Sequence, residues 1–111
     1  MQTFAYAEGV VAVLEVNPGD DDVELTISQY RHLTDGLRNR AREALPAEFT
    51  VLTRDNIFSL MPSDEAEAEC LAESCAVDIG RAIGAEYVTQ SKIRMFDGKL
   101  TLTVELFASI N

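Results

Sequence analysis

Val10-Val-Ala-Val-Leu-Glu-Val16, followed by Asn17-Pro18-Gly19, is the stretch on which the fold turns. An apolar, β-branched run of this length, ended by a strong turn signal, reads as a strand covered on both faces. Beyond it the period changes. Ile27, Tyr30, Leu33, Leu37, Ala41 and Leu45 recur at helical spacing until Pro46 closes the pattern, and Phe49-Thr-Val-Leu-Thr53 supplies a second, short strand. Two strands joined by such a helix lie parallel with a right-handed crossover, which places the chain in the α/β class.

Working outward, Arg54 to Met61 reads as a brief helix capped by Thr53 or Asp55 and stopped by Pro62. Ser63 to Cys70 is acidic and has no apolar face, so it reads as an exposed loop or a frayed turn. From Ser74 the helical pattern revives, with Ala76, Ile79, Gly80 and Ile83 on one face and Gly84 where a left-handed stop belongs. Glu86 to Met95 and Lys99 to Phe107 then flank Asp97-Gly98, a hairpin with a two-residue turn. In the last strand Leu100, Leu102, Val104 and Leu106 alternate with Thr101, Thr103, Glu105 and Phe107, which predicts one core face and one mostly wet face. The expectation is a mixed four-stranded α/β sheet in the order β-α-β-α-α-β-β, packed with helices. It forms a single domain over 1–111, with its core at about residues 9–110.

Composition narrows the function. Of 111 residues 47% are hydrophobic and 25% charged, a globular balance that excludes disordered and coiled-coil classes. Nineteen acids against nine bases give a net charge of -10, which repels nucleic acid and anionic lipid. No stretch is long and apolar enough to span a bilayer, and Met1 to Gly9 lacks the form of a signal peptide. Arg31, Arg38, Arg40, Arg42 and Arg54 fall close together and could form a cationic strip; the plainer reading is the solvated face of one helix, paired with Asp35 and Glu43.

No catalytic constellation can be assembled. His32 has no cysteine or serine arranged beside it and reads as solvent-facing. Asp20, Asp21 and Asp22 lack the spacing of a calcium loop and read as a solvated turn that also serves the positive end of the next helix through Asp22 and Glu24. Gly80 and Gly84 read as a close approach of helix to sheet followed by a stop. Cys70 and Cys75 fit neither a redox motif nor a zinc knuckle. Residues five apart on a continuous helix have Cα atoms roughly 8–9 Å apart, beyond the ~7 Å a disulfide spans, so a bond would need the helix to break near Ser74. Spacing alone leaves reduced and bonded forms open.

Val10 to Val16, Leu33-Thr-Asp-Gly-Leu-Arg38, Phe49-Thr-Val-Leu-Thr-Arg-Asp-Asn-Ile57 and Cys75-Ala-Val-Asp-Ile-Gly-Arg-Ala-Ile-Gly-Ala-Glu-Tyr-Val88, taken in that order, resemble the CsgG-like family. That family is related to the curli secretion channel, the amino-terminal domain of TolB and the penicillin-binding-protein activator lipoproteins of bacterial envelopes. The resemblance covers Val10 to about Leu106 and rests on the ordered set of motifs. It implies a Cys70–Cys75 disulfide, a periplasmic or other extracytoplasmic location with the cytoplasm as the alternative, and a non-enzymatic assembly or recognition domain of a larger lipoprotein or surface protein. A pore is not implied, because a lipobox cysteine and long amphipathic hairpins are missing.

Two surfaces are then candidates for a protein partner in the envelope or for a second copy of the chain. One is the final strand as a sheet edge, with Thr101, Thr103 and Phe107; the other is the arginine side of the long helix, with Arg38, Arg42 and Arg54. No cofactor, metal, nucleic acid or membrane span is expected. The alternative is a small-molecule-binding or sensory domain, with a ligand at the carboxyl ends of the strands beside Asn17 to Asp22 and Arg54.

Overall fold

The sheet is organised along one long strand, β4 (Tyr87–Phe96), which has partners on both edges. The computed structural model describes residues 9–20, 23–60 and 73–109. On one edge β5 (Lys99–Ala108) pairs antiparallel without interruption, from Tyr87↔Ala108 to Phe96↔Lys99. Because β5 occupies that edge throughout, the parallel strands β1 (Val10–Val13) and β2 (Asn17–Pro18) both lie on the other edge. A two-residue strand, β3 (Thr50–Val51), pairs parallel with β1 on its far side. The crossover between β1 and β3 is α1 (Ile27–Ala44), while α2 (Arg54–Leu60) and α3 (Glu73–Ala82) follow β3.

The mixed α/β sheet is as expected, but it has five strands rather than four. The added strand arises where the sequence predicts one uninterrupted strand and then a turn. Val13 pairs with Thr89 and Asn17 with Lys92, so four steps along one chain match three along the other. One extra residue between Val13 and Asn17 makes a bulge, and pairing with β4 resumes at Asn17 and Pro18, where Gly19 N–H donates to the Ile93 carbonyl at 2.7 Å.

Each face of the sheet has its own core. On one, Val11, Val13 and Val51 pack with Leu37 and Ala41 of α1, with Leu45 at its carboxyl cap, and with Phe49 and Tyr87. On the other, Ala12, Leu14 and Val88 pack with Ile57 of α2, with Ala76 and Ile79 of α3 and with Ile83 just after it. The strand at Val10 to Val13 is thus covered on both sides, as its continuous apolar run requires.

Local signals set the element ends. Thr26 caps α1 in a reciprocal box: Gln29 N–H donates to Thr26 Oγ1 at 3.1 Å, and Thr26 N–H to Gln29 Oε1 at 2.8 Å. No acidic residue lies in the first turn of α1, and this box serves its amino end; Asp21 and Asp22 lie outside the described residues. Thr53 rather than Asp55 caps α2, accepting from Asn56 N–H at 3.1 Å. Gly84 takes φ +78 at the stop after α3, and Asp97 and Gly98, with φ 53 and 77, form the hairpin turn. A Cβ at position 80 would stand 2.8 Å from Ser109 Cβ, so only glycine lets α3 lie this close to the sheet. The expected loop Ser63 to Cys70 lies outside the described residues.

Candidate functional site

The bulge decides what the arginine side of α1 can do. Pairing that stops after Val13 leaves backbone groups in the core, and two α1 side chains one turn apart meet them. Arg38 donates from Nε at 3.0 Å and Nη2 at 2.6 Å to the Val13 carbonyl; Thr34 Oγ1 accepts Val16 N–H at 2.9 Å. Thr34 is 0% and Arg38 2% exposed. This corrects two expectations at once, since Arg38 is neither on a solvated face nor on a partner-facing surface.

Arg54 is also engaged. Its guanidinium bonds Glu15 at 2.8 Å and Asp35 at 2.6 Å, joining α2 to the bulge and to α1. Partial burial alone would lower its pKa, but the hydrogen bonds and charges of Glu15 and then Asp35 outweigh that and raise it above the ordinary value. The Arg54 side of the place expected for a small-molecule ligand is therefore engaged by the chain's own carboxylates. Arg42 is exposed near the far end of α1, bonding Asn39 Oδ1 at 2.9 Å. The three arginines do not form one surface.

The β4–β5 hairpin does. Residues paired directly across it share a face, so Met95, Ile93, Leu100, Leu102, Val104 and Leu106 all point to the side on which α1 lies. That helix covers β1 and β3 and does not reach over the outer hairpin. The expected core face of β5 is consequently exposed: Leu100 48%, Leu102 38%, Val104 46% and Leu106 63%. Between this stripe and the first turns of α1 runs an open groove of about 660 Å³. Leu25, Gln29, His32 and Leu33 form one wall, and Ile93, Leu100 and Leu102 the floor. His32 is exposed, as expected, but borders this groove.

Away from Phe96, 74% exposed beside the turn, the exposed part of the opposite face of the hairpin is polar. Thr101 and Thr103 are exposed there, opposite Arg94 and Lys92 of β4, with Lys99 and Glu105 at either end of the row. Phe107 shares this face but is half-buried against the α3 core, so its ring is structural in the main. The outer edge of β5 has no strand beside it among the described residues.

A five-stranded mixed sheet of this order, with α1 on one face and α2 and α3 on the other, can be compared with solved structures. The fold is similar to that of the LpoB C-terminal domain. The domain from Escherichia coli matches with a TM-score of 0.63 and 25% identity, covering 92% of this chain and 73% of that one. The domain from Salmonella enterica matches with a TM-score of 0.63, 23% identity and the same coverage. An NMR structure of E. coli LpoB gives 0.63 and 23%, over 90% of this chain and 49% of that one. No protein-family model and no curated protein matches the sequence. The likeness to LpoB agrees with the penicillin-binding-protein activator side of the resemblance drawn from the motifs. Among the described residues no helix is long and apolar enough to cross a membrane.

Sequence reasoning names Thr101 and Thr103 of this surface but assigns the aliphatic residues between them to the core. Alternation reveals which residues share a face; it does not reveal whether a helix covers that face.

Proposed function

We propose that the chain is a non-enzymatic protein-interaction domain of the bacterial cell envelope that docks a protein partner on the β4–β5 hairpin. The observation that carries this reading is the row Leu100, Leu102, Val104 and Leu106, all 38% exposed or more, in a chain of net charge -10. A contiguous apolar stripe rimmed by polar residues is the usual mark of a protein-binding surface. The likeness to LpoB C-terminal domains, together with the motif resemblance to penicillin-binding-protein activators, the curli channel and TolB, supports the envelope setting and a place in a larger protein.

An oxidising compartment supports the Cys70–Cys75 disulfide as part of the same reading. Cys75 is the third residue of α3, and no cysteine is free among the described residues; Cys70 lies outside them. Intact mass with and without reductant tests it: oxidised protein is lighter by two hydrogens, and free thiols after export would remove this support.

The docking reading is tested by capture from an envelope fraction with Val104→Asp and Leu106→Asp against the exposed arginine pair Arg31→Ala and Arg42→Ala. The hairpin changes are expected to lower recovery of the partner at least about tenfold, as a charge placed in an apolar contact does. Retention by the hairpin variants with loss in the arginine variants would overturn the assignment. The groove volume also falls in the range of small-ligand sites, which favours a ligand-binding alternative over the place beside Arg54. A metabolite-dependent thermal shift abolished by Leu33→Asp would support it.

A further inference from the structure

The open edge of β5 has a sequence that is complementary to itself. Native sheets protect a long edge with proline, a bulge, inward charges or brevity. The edge at β3 is protected by brevity, with two residues. β5 has ten residues in unbroken register, with no proline or glycine. The two-residue turn makes Phe96 and Lys99 a hydrogen-bonded pair, so odd-numbered residues of β5 direct their backbone groups to β4. Ser109, of the same parity, donates N–H to the Glu86 carbonyl at 2.8 Å. The N–H and C=O groups of Leu100, Leu102 and Val104 therefore point to the open edge.

Resting on the reading of β5 as an interaction edge, we propose that two copies of the chain pair antiparallel through β5, on a two-fold axis at Leu102. In this register Leu102 meets Leu102 of the second copy, and Leu100 meets Val104, through the outward backbone groups. On the polar face Thr101 meets Thr103, and Lys99 meets Glu105 twice, once on each side of the axis. Neither Lys99 nor Glu105 has an ion-pair partner within its own chain among the described residues.

Other registers are poorer. A shift by one residue opposes outward groups to inward ones and apolar to polar faces. Shifts that keep the parity place Glu105 opposite Asp97, opposite Thr101 or Thr103, or opposite itself, and only the register on Leu102 gives both charges an opposite partner. The contact is isologous and uses up the long edge of both copies, so assembly stops at a dimer. The two apolar stripes then join into one floor on the α1 side, which stays open for the protein partner.

Sedimentation velocity up to roughly 1 mM reads the prediction, since a short strand pair is a small interface and a weak one. The wild type is expected to shift from monomer to dimer with concentration. Lys99→Glu or Glu105→Lys alone replaces attraction by repulsion at both sites and should raise the dissociation constant at least about tenfold. Mixing K99E with E105K restores two opposite-charge pairs and should regain a mixed dimer, as should the double variant with itself. Both positions are exposed, and circular dichroism verifies folding. A wild type monomeric throughout, or a dimer indifferent to these charges and to mixing, would overturn the proposal. Partner capture by the stripe is read separately, so loss of the dimer with capture intact leaves the docking reading standing, and the converse result refutes that reading alone.

Discussion

Replacing Arg38 by methionine should unfold this domain far more readily than any other arginine change on α1. Methionine keeps the apolar stem that packs between helix and sheet but removes the two donors, 3.0 and 2.6 Å away, that satisfy the Val13 carbonyl. A hydrogen bond from a charged donor contributes about 1.5–3 kcal/mol, and a buried carbonyl left without it adds its own desolvation cost, so a loss of about 3 kcal/mol is expected. For a domain of this size that lowers the melting temperature by roughly 12–20 °C. Thr34→Val, which leaves Val16 N–H without its acceptor, should cost about 1–2 kcal/mol. The double variant should lose less than the two together, because both side chains hold the same bulge. Urea unfolding monitored by circular dichroism measures all three, with Arg42→Met as the surface control. If Arg38→Met moved the midpoint no more than Arg42→Met, Arg38 would belong to the solvated face after all, and the account of the bulge would be wrong.

Gly80→Ala drives a Cβ to 2.8 Å from Ser109 and should cost about 1–3 kcal/mol by overpacking, read from the same unfolding curves. Gly98→Ala, at φ +77, strains the hairpin turn and should cost about 1 kcal/mol while leaving the core signals of an NMR spectrum in place. Arg54→Ala should cost about 1–3 kcal/mol, because solvent screens the pair with Asp35, 53% exposed, whereas Glu15, 19% exposed, loses a charged donor in a half-buried place. The Arg54 pKa is raised on folding, so its stabilisation is complete below the unfolded value and is lost only as pH rises through the still higher folded one. The difference in urea midpoint between wild type and Arg54→Ala should accordingly stay constant from pH 7 to 10.

Much of the fold was legible because it follows from period and turn chemistry. The apolar run at Val10, the helical spacing up to Leu45, the glycine stop at Gly84 and the Asp97-Gly98 turn each fix a local conformation. What was not legible depends on contacts between distant segments. An extra residue before Asn17 has no signature until β4 lies beside it, and Arg38 has the same composition signal as Arg40 and Arg42 although its partner is 25 residues away. Ile27 fits the apolar spacing of α1 yet is 74% exposed, since the helix has passed beyond the sheet it covers. The same geometry exposes the β5 stripe. Its residues look like core in sequence because they are apolar in alternation, and their exposure is the clue to function.

Site-specific photo-crosslinking in an exporting bacterial host tests the central claim most directly. A photoreactive residue is placed at Leu106, Val104 or Thr101 on the hairpin, and at Arg42 or Asp55 as helix controls. The account predicts adducts to one protein partner from the two aliphatic positions, strongest at Leu106, and none from Arg42 or Asp55. Adducts from the helix positions with a silent hairpin would contradict it.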